Sequence, residues 1–294
     1  MKRGAPAPVR PFRWDLVEPA QLGRLLEGTT PPSLWFLDEL TRCAAKVLAR
    51  SADGDLQFVG RSADSVCDLL SGALAHTSWA ERLHRLPFSM RADGTLDPRT
   101  GRQLRSNLAA AGCSPAALVG ARRPRVFVDL VLYGGTFEAL YRKLNEWAAA
   151  DGVSPRALRN RLRFVGLTLR THTSPNTWRW QQNAEWTGEL PSGAIQNVSL
   201  ESSVWRYLGN DQLKLTESFH RGRWASAQAP KHDAFTRQGL REAVALVEQG
   251  RSAELRRTIV RLLGREPTWR EPWLRRLAGE LRAAPPRDVP PGRR

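Results

Sequence analysis

Apolar residues recur along this chain with two different periods, and the changes between them mark its elements. Leu34, Leu37, Leu40, Ala44, Val47 and Leu48 return at helical spacing after Pro31-Pro32. A shorter helix is expected before them, around Leu22, Leu25 and Leu26. From Asp55 the pattern tightens. Leu56-Gln57-Phe58-Val59 reads as a strand that stops at Gly60-Arg61-Ser62, and Val66, Leu69, Leu70 and Leu74 trace a helix starting near Asp64. Leu86-Pro87-Phe88-Ser89-Met90 offers a second short strand, and the second half of the polar stretch 91–112 predicts a helix. The clearest strand is Arg125-Val126-Phe127-Val128-Asp129-Leu130-Val131-Leu132, an apolar run holding a single acid. It stops at Gly134-Gly135, and a helix from Thr136 carries Phe137, Leu140, Tyr141, Leu144 and Trp147. Another strand spans 162–169, and three helices centred near Val244, Ile259 and Leu277 precede a Pro/Arg tail.

Strand–helix alternation of this kind predicts an α/β fold, a mainly parallel sheet flanked by helices. Helical additions are expected at both ends, which divides the chain into a lead-in over 1–50, an α/β domain over 51–220 and a basic helical region over 221–294. The first dozen residues, rich in proline and basic side chains, are expected to be disordered. No apolar run approaches 18 residues and Met1-Lys2-Arg3-Gly4-Ala5-Pro6 has no apolar core, so no membrane partner is expected and the reading is cytoplasmic. Cys43, Cys67 and Cys113 are widely spaced without metal-ligand spacing, which fits small core hydrophobes better than a disulfide framework or zinc site.

Charge changes this picture at one end. The chain carries a net +16, and only five of its 45 basic residues are lysine. From His220 to the end, 17 basic residues face 8 acidic ones, a net +9. That region is a candidate for nucleic-acid binding through arginines such as Arg256, Arg257, Arg275 and Arg276, with a solvated helical face as the alternative.

In a parallel sheet the ligand lies beyond the carboxyl ends of the strands. Two turns there carry chemistry for phosphate. In Tyr133-Gly134-Gly135-Thr136 the glycines let backbone approach an anion, the helix start presents free N–H groups, and Thr136 adds a hydroxyl. Asp129 is an acid in an apolar strand, costly unless paired, hydrogen-bonded or near metal. A structural Gly-Gly turn with Thr136 as cap is the competing reading. The earlier turn, Gly60-Arg61-Ser62, brings a guanidinium and a hydroxyl to a second strand end, where Ser62 could instead simply cap the helix.

The segment from Val128 to Thr136 resembles the PRPP-binding loop of type I phosphoribosyltransferases, in which two adjacent acids precede a Thr-Gly-x-Thr phosphate loop. Asp129 stands at the second acid, Gly134 and Thr136 at the loop's glycine and final threonine. Val128 replaces the first acid and Tyr133 the first threonine. The resemblance covers roughly residues 55–220. It implies that Tyr133, Gly134, Gly135 and Thr136 hold a 5′-phosphate and Asp129 the ribose, and that Gly60, Arg61 and Ser62 hold pyrophosphate. It also implies Mg²⁺, indirectly through Asp129, and a lid from 91–112. PRPP or a related phosphorylated ribose would be the donor, an unidentified molecule the acceptor, and a homodimer a further expectation.

A third constellation follows the 162–169 strand. His172 is a candidate base, and Asn176, Trp178 and Arg179 are candidates for binding the acceptor, against a packed surface loop as the alternative. Trp186 and Trp205 read as core residues. Two other functions stay open: a non-catalytic nucleotide- or anion-binding module, and a phosphoribosyl-ester hydrolase.

Overall fold

The computed structural model describes residues 6–9, 12–89, 96–172, 179–219 and 231–283. Five strands form one sheet: β1 (Asp55–Val59), β2 (Leu83–Leu86), β3 (Arg125–Leu130), β4 (Leu162–Leu169) and β5 (Ile195–Leu200). Their order is β2-β1-β3-β4-β5, and every neighbouring pair is parallel. The expected α/β class, with helical additions at both ends, is what the chain adopts.

Side-chain alternation sends each strand's residues to two separate cores. On one face, Leu56, Phe58, Val126, Val128, Val165 and Val198 pack under α1 (Leu37–Ala49), α2 (Asp64–Leu74), α8 (Ala234–Arg251), α9 (Ala253–Leu263) and α10 (Pro272–Arg282). On the other, Val59, Leu86, Phe127 and Phe164 pack under α3 (Pro98–Ala110), α4 (Pro115–Gly120), α5 (Gly135–Ala150) and α6 (Pro155–Arg161), together with Trp180 and Trp186. A short helix, α7 (Ser202–Arg206), follows β5. Because β1 feeds a helix on one face and β3 a helix on the other, the direction of winding reverses between these two adjacent strands. In open α/β sheets that reversal opens a crevice at the carboxyl edge.

Several helices start on a serine or aspartate followed by proline. Asp97 accepts from the N–H groups of Arg99 and Thr100, Ser114 from Ala117, and Ser154 from Ala157. A side-chain oxygen satisfies an orphan donor, and the proline costs none because its missing N–H would have been unpaired.

Four expectations need correction. The second strand lies at Leu83–Leu86, not 86–90; Pro87, which has no N–H for the ladder, ends it. The segment 98–110 is no lid, since α3 is fixed on the sheet by buried Leu104 and Leu108; residues 90–95 lie outside the described residues. The described part of the first dozen residues is packed: Ala7 O accepts from Gln103 Nε2 at 2.9 Å and Val9 N donates to Asn107 Oδ1 at 2.7 Å, both on α3. Finally, Arg256 is buried rather than presented to solvent, whereas Arg257, Arg275 and Arg276 are exposed. The three cysteines are buried and unpaired. Burial pushes the Cys43 and Cys113 thiols up to about 12 and Cys67 to about 11, so none is a ready thiolate.

Candidate functional site

The two glycine turns leave neighbouring strands at the winding reversal. β1 and β3 are paired through Phe58↔Val128, so Gly60-Arg61-Ser62 and Tyr133-Gly134-Gly135-Thr136 emerge from the same edge. Gly60 and Gly134 both take positive φ, 70° and 82°, a backbone that other residues adopt only with strain.

Each turn has its own packing. A Cβ on Gly134 would come within 3.0 Å of the Trp180 ring, and one on Gly166 would lie 3.2 Å from Trp180 Nε1. The buried indole therefore lies between two glycines, and its N–H donates to Asn197 Oδ1 at 2.8 Å. Gly134 makes room for Trp180 in addition to turning the chain. Tyr133, 73% exposed, faces outward. Gly135 opens the 16-residue α5, whose first N–H groups point out of the helix end.

Asp129 sits just behind this helix start, buried, with its carboxyl hydrogen-bonded to Leu130 N–H and the Thr136 side chain. Burial raises its pKa to about 8, against the pull of those two bonds and of Lys214. The carboxyl is thus mainly neutral at pH 7. Val128, the residue beside it, is buried in the other core and brings no second acid.

Lys214 comes from a segment that crosses the crevice. Its Nζ donates to Leu208 O and to Gln212 Oε1, each at 2.6 Å, and burial lowers its pKa to about 8. Gln212 in turn binds Ser65 Oγ and Glu242, and Glu242 accepts from Tyr207. Arg61 NH1 donates to Thr216 O at 2.8 Å on the same segment. Ser62 lies in the turn before α2, and Ala63, not Ser62, occupies the N-cap without a side-chain bond.

A second cluster, which the sequence reading missed, stands on α2. Asp64 and Asp68 are one helical turn apart and face the same way. Arg13 donates to Asp64 Oδ2 at 2.8 Å and to both oxygens of Asp68 at 2.9 Å, while Arg85 of β2 pairs with the same two acids. The i,i+4 acids were visible; their partners, 51 residues before and 17 after, were not. Replacing Arg13 with alanine leaves a nearly buried Asp68 held by Arg85 alone. The expected loss is about 2 kcal/mol, below the usual cost of breaking a buried pair because one partner remains. Hydrogen exchange at Val9 should rise with it, and an unchanged rate would show that the N-terminal strap is anchored elsewhere.

Of the remaining candidates, three fall wholly or in part outside the described residues. His172 ends a short 3₁₀ turn, Arg170–His172, after β4, and its side chain lies outside the described residues. Asn176 and Trp178 are likewise outside them. The Arg179 backbone N–H donates to Gln182 Oε1 at 3.2 Å, just before the Trp180–Asn183 turn. Among the described residues no group of three metal-binding side chains occurs.

No protein-family model, curated protein or solved structure matches this chain.

Proposed function

We propose that the chain binds PRPP or a related phosphorylated ribose across the carboxyl ends of β1 and β3 and transfers its phosphoribosyl group to an acceptor. The observation that carries this reading is the placement of two glycine turns side by side at the winding reversal, one with Arg61 and one at the start of a long helix. Backbone N–H groups of Gly135 and Thr136 bind the 5′-phosphate, favoured by the helix dipole, and the Thr136 hydroxyl exchanges Asp129 for a phosphate oxygen. Arg61 exchanges its Thr216 carbonyl for the pyrophosphate, whose departing charge it stabilises. Asp129, neutral at pH 7, donates its proton in a hydrogen bond to a ribose hydroxyl. Catalysis on this reading is mostly positioning and charge stabilisation.

Mg²⁺ does not fit as an ion held by these residues. Asp129 is buried, largely neutral and already hydrogen-bonded, and Asp64 at the start of α2 is taken by Arg13 and Arg85, whereas Mg²⁺ wants ionised carboxylates or ligand phosphates. No step here passes through a metal.

A second reading, a non-catalytic binding module, is favoured by Val128, which leaves Asp129 as a lone acid. Calorimetric titration with PRPP, combined with an assay for pyrophosphate release, separates the two. Saturable binding weakened about tenfold by Thr136→Ala, with release in the presence of an acceptor, is the expected result. Binding without release supports the module, and salt-dependent nucleic-acid binding through exposed Arg257, Arg275 and Arg276 would then be measured next. Absence of PRPP binding, with Thr136→Ala and the parent melting alike, overturns both.

A further inference from the structure

Bordering the β1–β3 crevice at Gly60 and Thr216, the described residues line an open pocket of about 660 Å³ at the β1–β2 edge. Its floor is the α3 side of the sheet, its roof the N-terminal strap, and Val9, Trp14, Pro87 and Phe219 are among its walls. That volume lies in the range of small-molecule sites.

The floor holds an unusual polar group. Gln57 is completely buried in the middle of β1, and its side-chain Nε2 finds no hydrogen-bond partner among the described residues. Its Oε1 accepts only a long bond, 3.4 Å, from Arg125 NH1. His84 stands opposite Gln57 on the neighbouring strand, so both project to the same face. An unpaired buried amide costs stability, about as much as a lost hydrogen bond with its full desolvation. Gln57 shares the pocket with His84, Asn107 and Arg125, so its unpaired amide belongs to a polar lining of the kind a ligand site requires.

The charges define what fits. Arg13 and Arg85 also line the cavity, but Asp64 and Asp68 neutralise them at short distance. Among the described residues, the one acid paired with Arg125 is Asp55 at 4.0 Å, the outer limit of an ion pair. Desolvation, with Arg125 nearby, lowers the pKa of His84, so the imidazole adds no cation. Donors therefore converge from Gln57 and Arg125 with about one positive charge to match, between aromatic and proline walls.

We infer that this cavity is a binding site for an aromatic or heteroaromatic monocarboxylate, whose carboxylate meets Arg125 and the Gln57 amide while its ring lies among Trp14, Pro87 and Phe219. The pocket adjoins the crevice of the phosphoribosyl reading at Gly60 and Thr216, but its carboxylate contacts, Gln57 and Arg125, take no part in that reading.

The test uses 2-naphthoate and its neutral amide as probes, with ligand-observed NMR titration of the full chain. Naphthoate should bind saturably, and the amide at least tenfold more weakly. Gln57→Leu and Arg125→Gln should each weaken naphthoate at least fivefold. Gln57→Leu should also melt no lower than the parent, since it removes an unpaired amide. PRPP titration of Gln57→Leu should be unchanged, which keeps this result apart from that of the β1–β3 crevice. Equal affinity for acid and amide, undiminished binding in both variants, or no saturable binding of naphthoate would each overturn the inference.

Discussion

Alanine at Gly250 should cost about 3 kcal/mol or more, although alanine normally favours a helix over glycine by up to ~1 kcal/mol. The reason is the approach of α2 and α8. A Cβ on Gly250 would lie 2.8 Å from Ala73 N and closer still to Leu69 O, both backbone atoms of α2. Gly72 of α2 reciprocates: its Cβ would lie 2.9 Å from Val247 C and closer to Val247 O. No side-chain rotation relieves such a clash, so the helices must separate, opening a core that includes Leu69, Leu70 and Leu246. The melting temperature should fall by roughly 6 °C or more. Gly279 in α10 provides the opposite case, because nothing stands within 4 Å of its Cβ; Gly279→Ala should be neutral or mildly stabilising. Gly72→Ala should resemble Gly250→Ala, and the double variant should cost less than the sum, since helices once parted admit both methyl groups. If Gly250→Ala melts with Gly279→Ala, the two helices are not in contact as described.

Much of this architecture can be read from the residues. The helix 64–74 and the strand 162–169 have the expected bounds because their apolar periods are complete within themselves. What escaped depends on partners far along the chain. β5 reads Ile-Gln-Asn-Val-Ser-Leu, too polar for a buried strand. It is an edge, where Asn197 accepts from Trp180 and donates to Gln181 Oε1. β2 reads Leu-His-Arg-Leu for the same reason: Arg85 is polar because Asp64 and Asp68 wait on α2. The short α4 and α6 hold too few apolar positions for a period to register, though Ser114-Pro115 and Ser154-Pro155 are start signals in plain view. At the candidate site the phosphate-type turns were legible from Gly, Thr and Arg alone. The indole against Gly134 and the lysine behind the crevice were not, because neither Trp180 nor Lys214 has local spacing that announces where its side chain goes.

Asp129→Asn should become more stable than the parent as pH rises, by an amount on the order of 5 kcal/mol at pH 8 and above. The folded carboxyl has its pKa raised from 3.8 to about 8, chiefly by burial. Below about pH 4 both folded and unfolded forms are protonated, and the residue's contribution to stability is complete. Between about 4 and 8 the unfolded chain gives up the proton while the folded chain keeps it, so each step in pH favours unfolding. Above 8 the loss is full and constant. Lys214 acts in the opposite sense at higher pH. Its pKa is lowered from 10.5 to about 8, so the folded chain loses that proton first and stability recovers between about 8 and 10.5. Melting temperatures at pH 4.5, 6, 8 and 10 separate the two: Asp129→Asn should flatten the fall below 8, and Lys214→Met the rise above it. Asparagine retains an oxygen for the Thr136 side chain, so the comparison isolates the proton rather than the hydrogen bond. A parent and an Asp129→Asn variant that melt a constant interval apart across this range would mean that Asp129 is ionised in the folded chain. In that case it could not donate to a ribose hydroxyl at pH 7. If the interval widens as expected, affinity for a phosphorylated ribose should fall as pH passes 8, because the proton that holds the ligand is the one that folding protects.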